Sequence, residues 1–558
     1  MSRSAPGRVL ARVGLGGGGS NMVAAGILLS RIAGLVREVI LAIALGGLGA
    51  SADAFRFAMR IPNVLQNLLG EGALSASFIP VYARLVEEGE EGEADQLAGT
   101  IAALLAAVTL VLVAAGILLA DPLVRVFTNW ENDSDKFDLT VSLTRITTVG
   151  LGFLVLSAWC LGVLNSHRHF FLPYVAPVVW NGIQIVVLGA TIVADWEPNR
   201  VATAAAWAVL VGGFAQFAIQ FPHVRRLSPK LWASLRRTRD VEDVITRFGP
   251  AVGSRGVVQI SSFVDLLLAG ILVEGALGAY AFALPLYLLP ISLFGFSVAA
   301  SELAEMSRRS GQEEVVASRV RPALRRVIVP AGFIVAVYLV GARPVVDGLY
   351  GWASRLFDKG FSAEDVTLVS LVVTSFAIGL PAAMTARITQ NTLYSVGEVR
   401  GPAKIAAIRM VVSALVALVS MLQLDWLFVS DGTTIDQVGD FPHWPPWEQV
   451  PEAIRDEPTG PHLGAVGLAL GAAAAAWTEW WLLRRMLRNR LDIRVRSGWA
   501  RPVVMSALAA AAIMGGIRLL GLPSPIDVIL IVTVGAGIFG SGLWMQGVRS
   551  LPQLASSP

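Results

Sequence analysis

Read by hydrophobic and polar position alone, the chain is a succession of long apolar runs separated by short charged connections. A run of roughly 18 to 25 apolar residues is long enough, as a helix, to cross a hydrocarbon layer of about 30 Å. Counting such runs predicts about fourteen spans, near residues 22–47, 53–84, 97–120, 139–165, 171–194, 201–221, 248–274, 277–306, 322–342, 366–396, 402–428, 463–487, 502–520 and 526–547. Residues 1–20, with Arg3, Arg8, Arg12 and the glycines 16–19, predict a flexible basic cytoplasmic lead. The run that follows is too long for a cleavable signal peptide, and it carries Arg31, Arg37 and Glu38.

Loop charge tests this count, because basic loops stay on the cytoplasmic side. Arg225, Arg226, Lys230, Arg236, Arg237, Arg239 and Arg247 fall in one predicted cytoplasmic loop, and Arg484, Arg485, Arg488, Arg490, Arg494 and Arg496 fall in another. The loop 425–462 is acidic, with Asp431, Asp436, Asp440, Glu448, Glu452, Asp456 and Glu457 against Arg455, and is predicted external. Both termini are then cytoplasmic. A constant offset of 228 residues sets Arg37 against Asp265, Gly47 against Gly275 and Pro62 against Pro290. This weak repeat suggests two equivalent six-helix lobes. The predicted organisation is an N-terminal lobe at 21–223 (helices 1–6), a basic linker at 224–247, a C-terminal lobe at 248–490 (helices 7–12), and helices 13–14 with a tail at 491–558.

Composition supports the membrane reading and narrows the chemistry. Hydrophobic residues make up 54% of the 558 and charged residues 15%, more apolar surface than a soluble fold can cover. A net charge of +3, with the basic residues in loops, encodes orientation and excludes nucleic acid as a partner. Cys160 is the single cysteine and lies in an apolar run, so disulfides and cysteine metal sites are excluded. His167, His169, His223, His443 and His462 fall in predicted loops without ligand spacing, and no catalytic triad, P-loop or paired-carboxylate motif is present. A transporter without cofactor or metal is therefore expected rather than an enzyme.

The chemistry lies in charges placed where lipid should be. An ionisable group at mid-helix costs about 2.5 to 3.5 kcal/mol on insertion scales, so those retained face water or a partner. In span 1, Arg37 and Glu38 are neighbours, and Arg31 lies about 120° around the helix from Arg37, which predicts separate surroundings for them. In span 2, Asp53, Arg56, Arg60, Asn63, Asn67 and Glu71 step by three or four residues and form one polar stripe. An Asp53 to Arg56 salt bridge is the structural alternative for its first turn. Span 7 adds Arg255 and Asp265, about 15 Å apart along a helix. Glu302 and Glu305, followed by Arg308 and Arg309, read either as a gate or as a salt-bridged helix end.

Several of these residues sit in a recognisable order. Ser30-Arg31-Ile-Ala-Gly34-Leu-Val-Arg37-Glu38, Asp53-Ala-Phe55, Ile61-Pro62-Asn63, Glu71-Gly72-Ala73 and Phe78-Ile-Pro80 together resemble the N-terminal signature of the MurJ/MviN family, within the multidrug, oligosaccharidyl-lipid and polysaccharide exporter superfamily. Leu164-Asn165, Phe170, Pro173, Ala176-Pro177 and Asn181 extend the resemblance, as do Gly249-Pro250 and Gln259-Ile260-Ser261, over about the first 400 residues.

The resemblance implies two lobes around a central cationic cavity of the bacterial cytoplasmic membrane, opening alternately inward and outward. Its cargo would be lipid II, a polyprenyl pyrophosphate bearing a sugar-peptide head. Arg31 and Arg37 then match the family's span 1 arginines and Asp53 its span 2 aspartate. Substrate-binding roles are expected for Arg31, Arg37, Asp53, Arg56, Arg60, Asn63 and Arg255, and coupling or gating roles for Asp265, Glu71 and Glu302. Membrane potential, Na⁺ or H⁺ would drive transport, with membrane lipids and cell-wall synthesis proteins as further partners. The chain departs from the family at Gln66, Asn67 and Pro285, where arginines are usual, and Arg56, Arg60 and Arg255 would restore the charge. Two alternatives follow from this departure: export of another lipid-linked saccharide, or a scaffold or regulator of cell-wall synthesis that does not transport.

Overall fold

The computed structural model describes residues 20–128, 130, 133–169, 171–231, 238–296, 298, 313–396, 398, 400–438, 450, 460–491 and 500–546. Helices follow one another as α1 (Ser20–Ala44), α2 (Ala50–Leu69), α3 (Glu71–Glu87), α4 (Glu91–Leu118), α5 (Ala120–Phe127), α6 (Ser134–Ser166), α7 (Phe171–Val193), α8 (Pro198–Leu227) and α9 (Arg239–Gly270). After them come α10 (Ala276–Pro290), α11 (Glu313–Val346), α12 (Trp352–Phe357), α13 (Ala363–Ser395), α14 (Arg400–Leu424), α15 (Gly464–Leu491), α16 (Ala500–Arg518) and α17 (Ser524–Met545). Among the described residues, eleven helices are long and apolar enough to cross a bilayer. The remaining places in the count of spans belong to α1, to α2 with α3, and to α9, which carry the charges singled out above.

Two local differences from the expected pattern have physical causes. The second span is not one helix. It breaks at Gly70, where a Cβ would lie 2.3 Å from the Gln66 carbonyl oxygen, so only glycine lets the backbone turn this tightly. Glu71 therefore opens α3 and does not continue the stripe on α2. The acidic loop after α14 contains an antiparallel hairpin, β1 (Leu427–Ser430) and β2 (Thr434–Gln437), the only strands among the described residues. Asp431 and Gly432 take the positive φ angles of 44° and 76° that its turn requires.

The chain divides into two compact units, Met1–Leu45 with Ala54–Phe263 and Gly46–Asp53 with Val264–Pro558. The first is built around α6. Its apolar window is 72% buried, against 22% for α4, which leaves most of α4 to lipid. Polar positions in α6 are neutralised internally, since Thr140, Thr144 and Thr148 each donate to a carbonyl one turn back. Gly150 and Gly213 let α6 and α8 touch backbone to backbone: a Cβ on Gly213 would stand 2.3 Å from the Gly150 oxygen. Phe78, Tyr82, Trp159 and Cys160 pack in the core below, the thiol free and buried.

The second unit is built around α13, whose apolar window is 78% buried. A reciprocal capping box starts this helix, Ser362 accepting from the Asp365 N–H and Asp365 from the Ser362 N–H, both at 3.1 Å. Gly467 plays for α14 and α15 the part that Gly213 plays in the first unit, with a Cβ there only 2.3 Å from the Met421 nitrogen.

Candidate functional site

The first unit contains a cavity of about 410 Å³ walled by α1, α2, α6, α7 and α8. Glu38 organises it. Its Oε2 accepts from Arg56 Nη2 at 2.5 Å, and its Oε1 accepts from Arg37 Nη2. All are withdrawn from solvent, with side-chain exposures of 7% for Glu38, 16% for Arg37 and 13% for Arg56. Arg37 and Glu38 were expected to address different surroundings, as adjacent residues on a helix point about 100° apart. The arginine stem is long enough to bend across that angle, so both line one cavity. The Arg37 guanidinium also sits over the Trp180 ring, 4.8 Å from its centroid.

Among the described residues of the cavity wall, two guanidinium groups share one carboxylate in a low-dielectric setting. The remaining wall is neutral, part apolar and part polar, the polar part including Asn63, Gln66, Asn181, Gln184 and Gln216. The side-chain N–H of Asn181 folds back to the Pro177 carbonyl at 3.0 Å, that of Gln184 to Trp180 at 3.3 Å, and that of Gln216 reaches Ser157 Oγ at 3.0 Å. Arg37 Nε, Trp180 Nε1 and Asn181 Oδ1 are buried without a hydrogen-bond partner among the described residues. The volume is within the usual range for ligand pockets, roughly 300 to 1,000 Å³. An anion with several oxygens would meet charged donors from two helices here.

The residues expected to bind cargo are distributed unequally. Arg37, Arg56 and Asn63 line the cavity. Arg31 is exposed on α1 and Arg60 half-buried on α2, and neither is among the described residues of the cavity wall. Asp53 is not among the described residues of the cavity wall: its Oδ2 accepts from the Gly275 N–H at 2.9 Å and its Oδ1 from the Gly278 N–H at 2.8 Å, so it caps α10 within the second unit. Arg255 and Asp265 lie on α9 and Glu71 on α3, but their side chains are outside the described residues, as is the whole of Glu302. Of the positions where arginine is usual, Gln66 lines the cavity, Asn67 is exposed and Pro285 lies within α10.

Sequence reasoning missed the central role of Glu38 and the contributions of Trp180, Gln184 and Gln216. A signal was present for the amides. Asn181 and Gln184 are three apart on α7 and Gln216 and Gln220 four apart on α8, polar faces on otherwise apolar helices.

Long apolar helices around a buried cationic cavity define a polytopic membrane transporter. The chain belongs to the family described as Lipid II flippase MurJ, which matches residues 42–436. It is 31% identical over 396 residues, 69% of this chain and 72% of the relative, to the probable lipid II flippase MurJ of Rhizobium tropici. It is 29% identical over 387 residues, 68% of this chain and 73% of the relative, to the lipid II flippase MurJ of Burkholderia cenocepacia. Its fold is similar to a solved structure of lipid II flippase MurJ in an inward closed conformation, with a TM-score of 0.72 at 19% identity, covering 94% of this chain and 99% of that one. A multidrug resistance MATE family transporter of the MOP superfamily, solved facing inward, shares the fold more distantly, with a TM-score of 0.55 at 15% identity over 82% of this chain and 94% of its own. Family and apolar helices together make this a multi-pass protein of the bacterial inner membrane.

Proposed function

We propose that the protein flips lipid II from the inner to the outer face of the cytoplasmic membrane, exposing the cavity of its first unit alternately to the two sides. Arg37 and Arg56 receive the pyrophosphate in this reading, and the lipid tail stays in the bilayer while the head crosses. The observation that carries it is the Arg37, Glu38 and Arg56 cluster buried in a cavity of a chain from this family. A pyrophosphate offers each guanidinium bidentate partners and so competes with Glu38 for them. No bond in the cargo is made or broken. The basic loops support a cytoplasmic placement of both termini in this reading.

The membrane potential acts directly on net charge that crosses, at about 2.3 kcal/mol per charge for each 100 mV. Coupling to Na⁺ or H⁺ through Asp265 or Glu302 is a separate proposal, refuted by flipping that continues unchanged in vesicles lacking both gradients. A second reading, a scaffold of cell-wall synthesis that does not transport, has the uncharged Gln66 in the cavity wall on its side. Depleting a bacterium of its own lipid II flippase and expressing this chain separates the two. The proposal expects lipid II to become accessible at the outer face, whereas an inserted protein that gives no such access favours the scaffold.

A further inference from the structure

A second cavity, of about 280 Å³, lies in the other unit, where the ends of α11 and α16 meet the beginnings of α13 and α17. It holds five charged side chains, Arg343, Asp347, Arg355, Arg518 and Asp527. Their commitments differ. Arg355 donates through Nη1 and Nη2 to the two oxygens of Asp347 at 2.7 and 2.8 Å, and the Ser524 hydroxyl donates to the same carboxylate, so that pair is internally satisfied. Arg343 donates one bond to the Gly432 carbonyl at 3.3 Å, and Arg518 one to the Val340 carbonyl at 2.9 Å. These backbone bonds position both guanidinium groups and use one donor on each, with Arg343 in the electrostatic field of Asp347 and Glu364 and Arg518 in that of Asp527. Asp527 is 6% exposed, and its Oδ1 is buried with no hydrogen-bond partner among the described residues.

The remaining donors of Arg343 and Arg518 call for an anionic acceptor, and the N-terminus of α17 at Ser524 favours one too, whereas that of α13 is already capped by Ser362 and Asp365. The bare Asp527 oxygen calls instead for a cationic donor, since a buried acceptor without one is costly. A phosphate or sulfate would satisfy the first demand and be repelled by the second. A ligand with a carboxylate and an ammonium a few ångströms apart satisfies both. We propose that this cavity binds a zwitterionic amino-acid group, its carboxylate on Arg343 and Arg518 and its ammonium on Asp527. The Arg343 bond to Gly432 places the cavity beside the acidic loop, on the outer side in the proposed orientation. The group would come either from a free external amino acid or from the peptide part of the exported head, and the latter source rests on the flippase reading.

Calorimetric titration of the full-length protein in lipid nanodiscs tests this with alanine, alanyl-alanine, N-acetylalanine and alanine methyl ester. Saturable binding of alanine or the dipeptide is expected, with each blocked derivative weaker by at least about tenfold. Asp527→Asn and Arg518→Gln should each weaken binding similarly, and Arg518 is exposed, so its replacement leaves the fold standing. Preference for the dipeptide identifies a peptide as the source, and preference for alanine identifies a free amino acid. No saturable binding, equal binding of the blocked derivatives, or undiminished binding by both variants overturns the proposal. Binding by a protein that does not flip lipid II would sink the flippase reading alone.

Discussion

Glu38 in the first unit and Asp347 in the second each hold arginine side chains through both carboxylate oxygens, but in different surroundings. Around Glu38 the charged side chains are 7 to 16% exposed, while in the other pair Asp347 is 14% exposed but its partner Arg355 is 58% exposed. Water can replace what Asp347 gives Arg355, and nothing in an apolar helix bundle can replace what Glu38 gives Arg37 and Arg56. Similar pairings therefore serve different ends. The exposed pair adds little to stability. The buried cluster holds two cations ready in a place where burying charge without a partner is costly, and where an arriving anion gains most from them.

The largest way to break this contrast is Glu38→Gln. It removes the carboxylate that two buried guanidinium groups share, and a loss of about 3 to 5 kcal/mol is expected. Thermal unfolding in detergent measures it, and a melting temperature equal to that of the parent protein would show that the cluster is solvated. Next comes Asp53→Ala, which removes both charged bonds to the α10 cap and should cost about 1.5 to 3 kcal/mol by the same assay. Asp347→Asn should cost no more than about 1 kcal/mol; a drop as large as that of Glu38→Gln would erase the distinction between the two clusters.

The smallest expected effect is one of pH, at His167, which follows the end of α6 outside the membrane-spanning segments. The Tyr82 hydroxyl lies 2.9 Å from His167 Nε2 and 2.8 Å from Ser228 Oγ. Burial first, then the neighbouring His169, holds the His167 pKa below its ordinary 6.5. A histidine lowered in this way favours folding in its neutral form, so its contribution is complete above 6.5 and declines as the pH falls through and below that value. The melting temperature should decline over that window and decline less in His167→Gln. Identical pH profiles for the two proteins would remove His167 from the account.

The spans were legible because a run of apolar residues is a local property, matched to bilayer thickness without knowledge of partners. The break at Gly70 was not, since an isolated glycine is tolerated within helices and its backbone clash appears only in three dimensions. The hairpin was signalled by Asp431-Gly432 and passed over because the loop was read for its charge. In the cavity, Arg37 and Arg56 could be found from the cost of burying charge, but the link between them required seeing Glu38 reached from two helices. Asp53 illustrates the limit of helical periodicity: it lies on the same stripe as Arg56, yet its partners are more than two hundred residues away in sequence, at Gly275 and Gly278.

The most direct test of the central claim reconstitutes the purified protein in lipid vesicles and follows the passage of labelled lipid II to the opposite leaflet under a membrane potential. The account predicts passage by the parent protein and its loss in Arg37→Ala combined with Arg56→Ala, with reconstitution equal for both. Passage at the parent rate by the doubly substituted protein would contradict it.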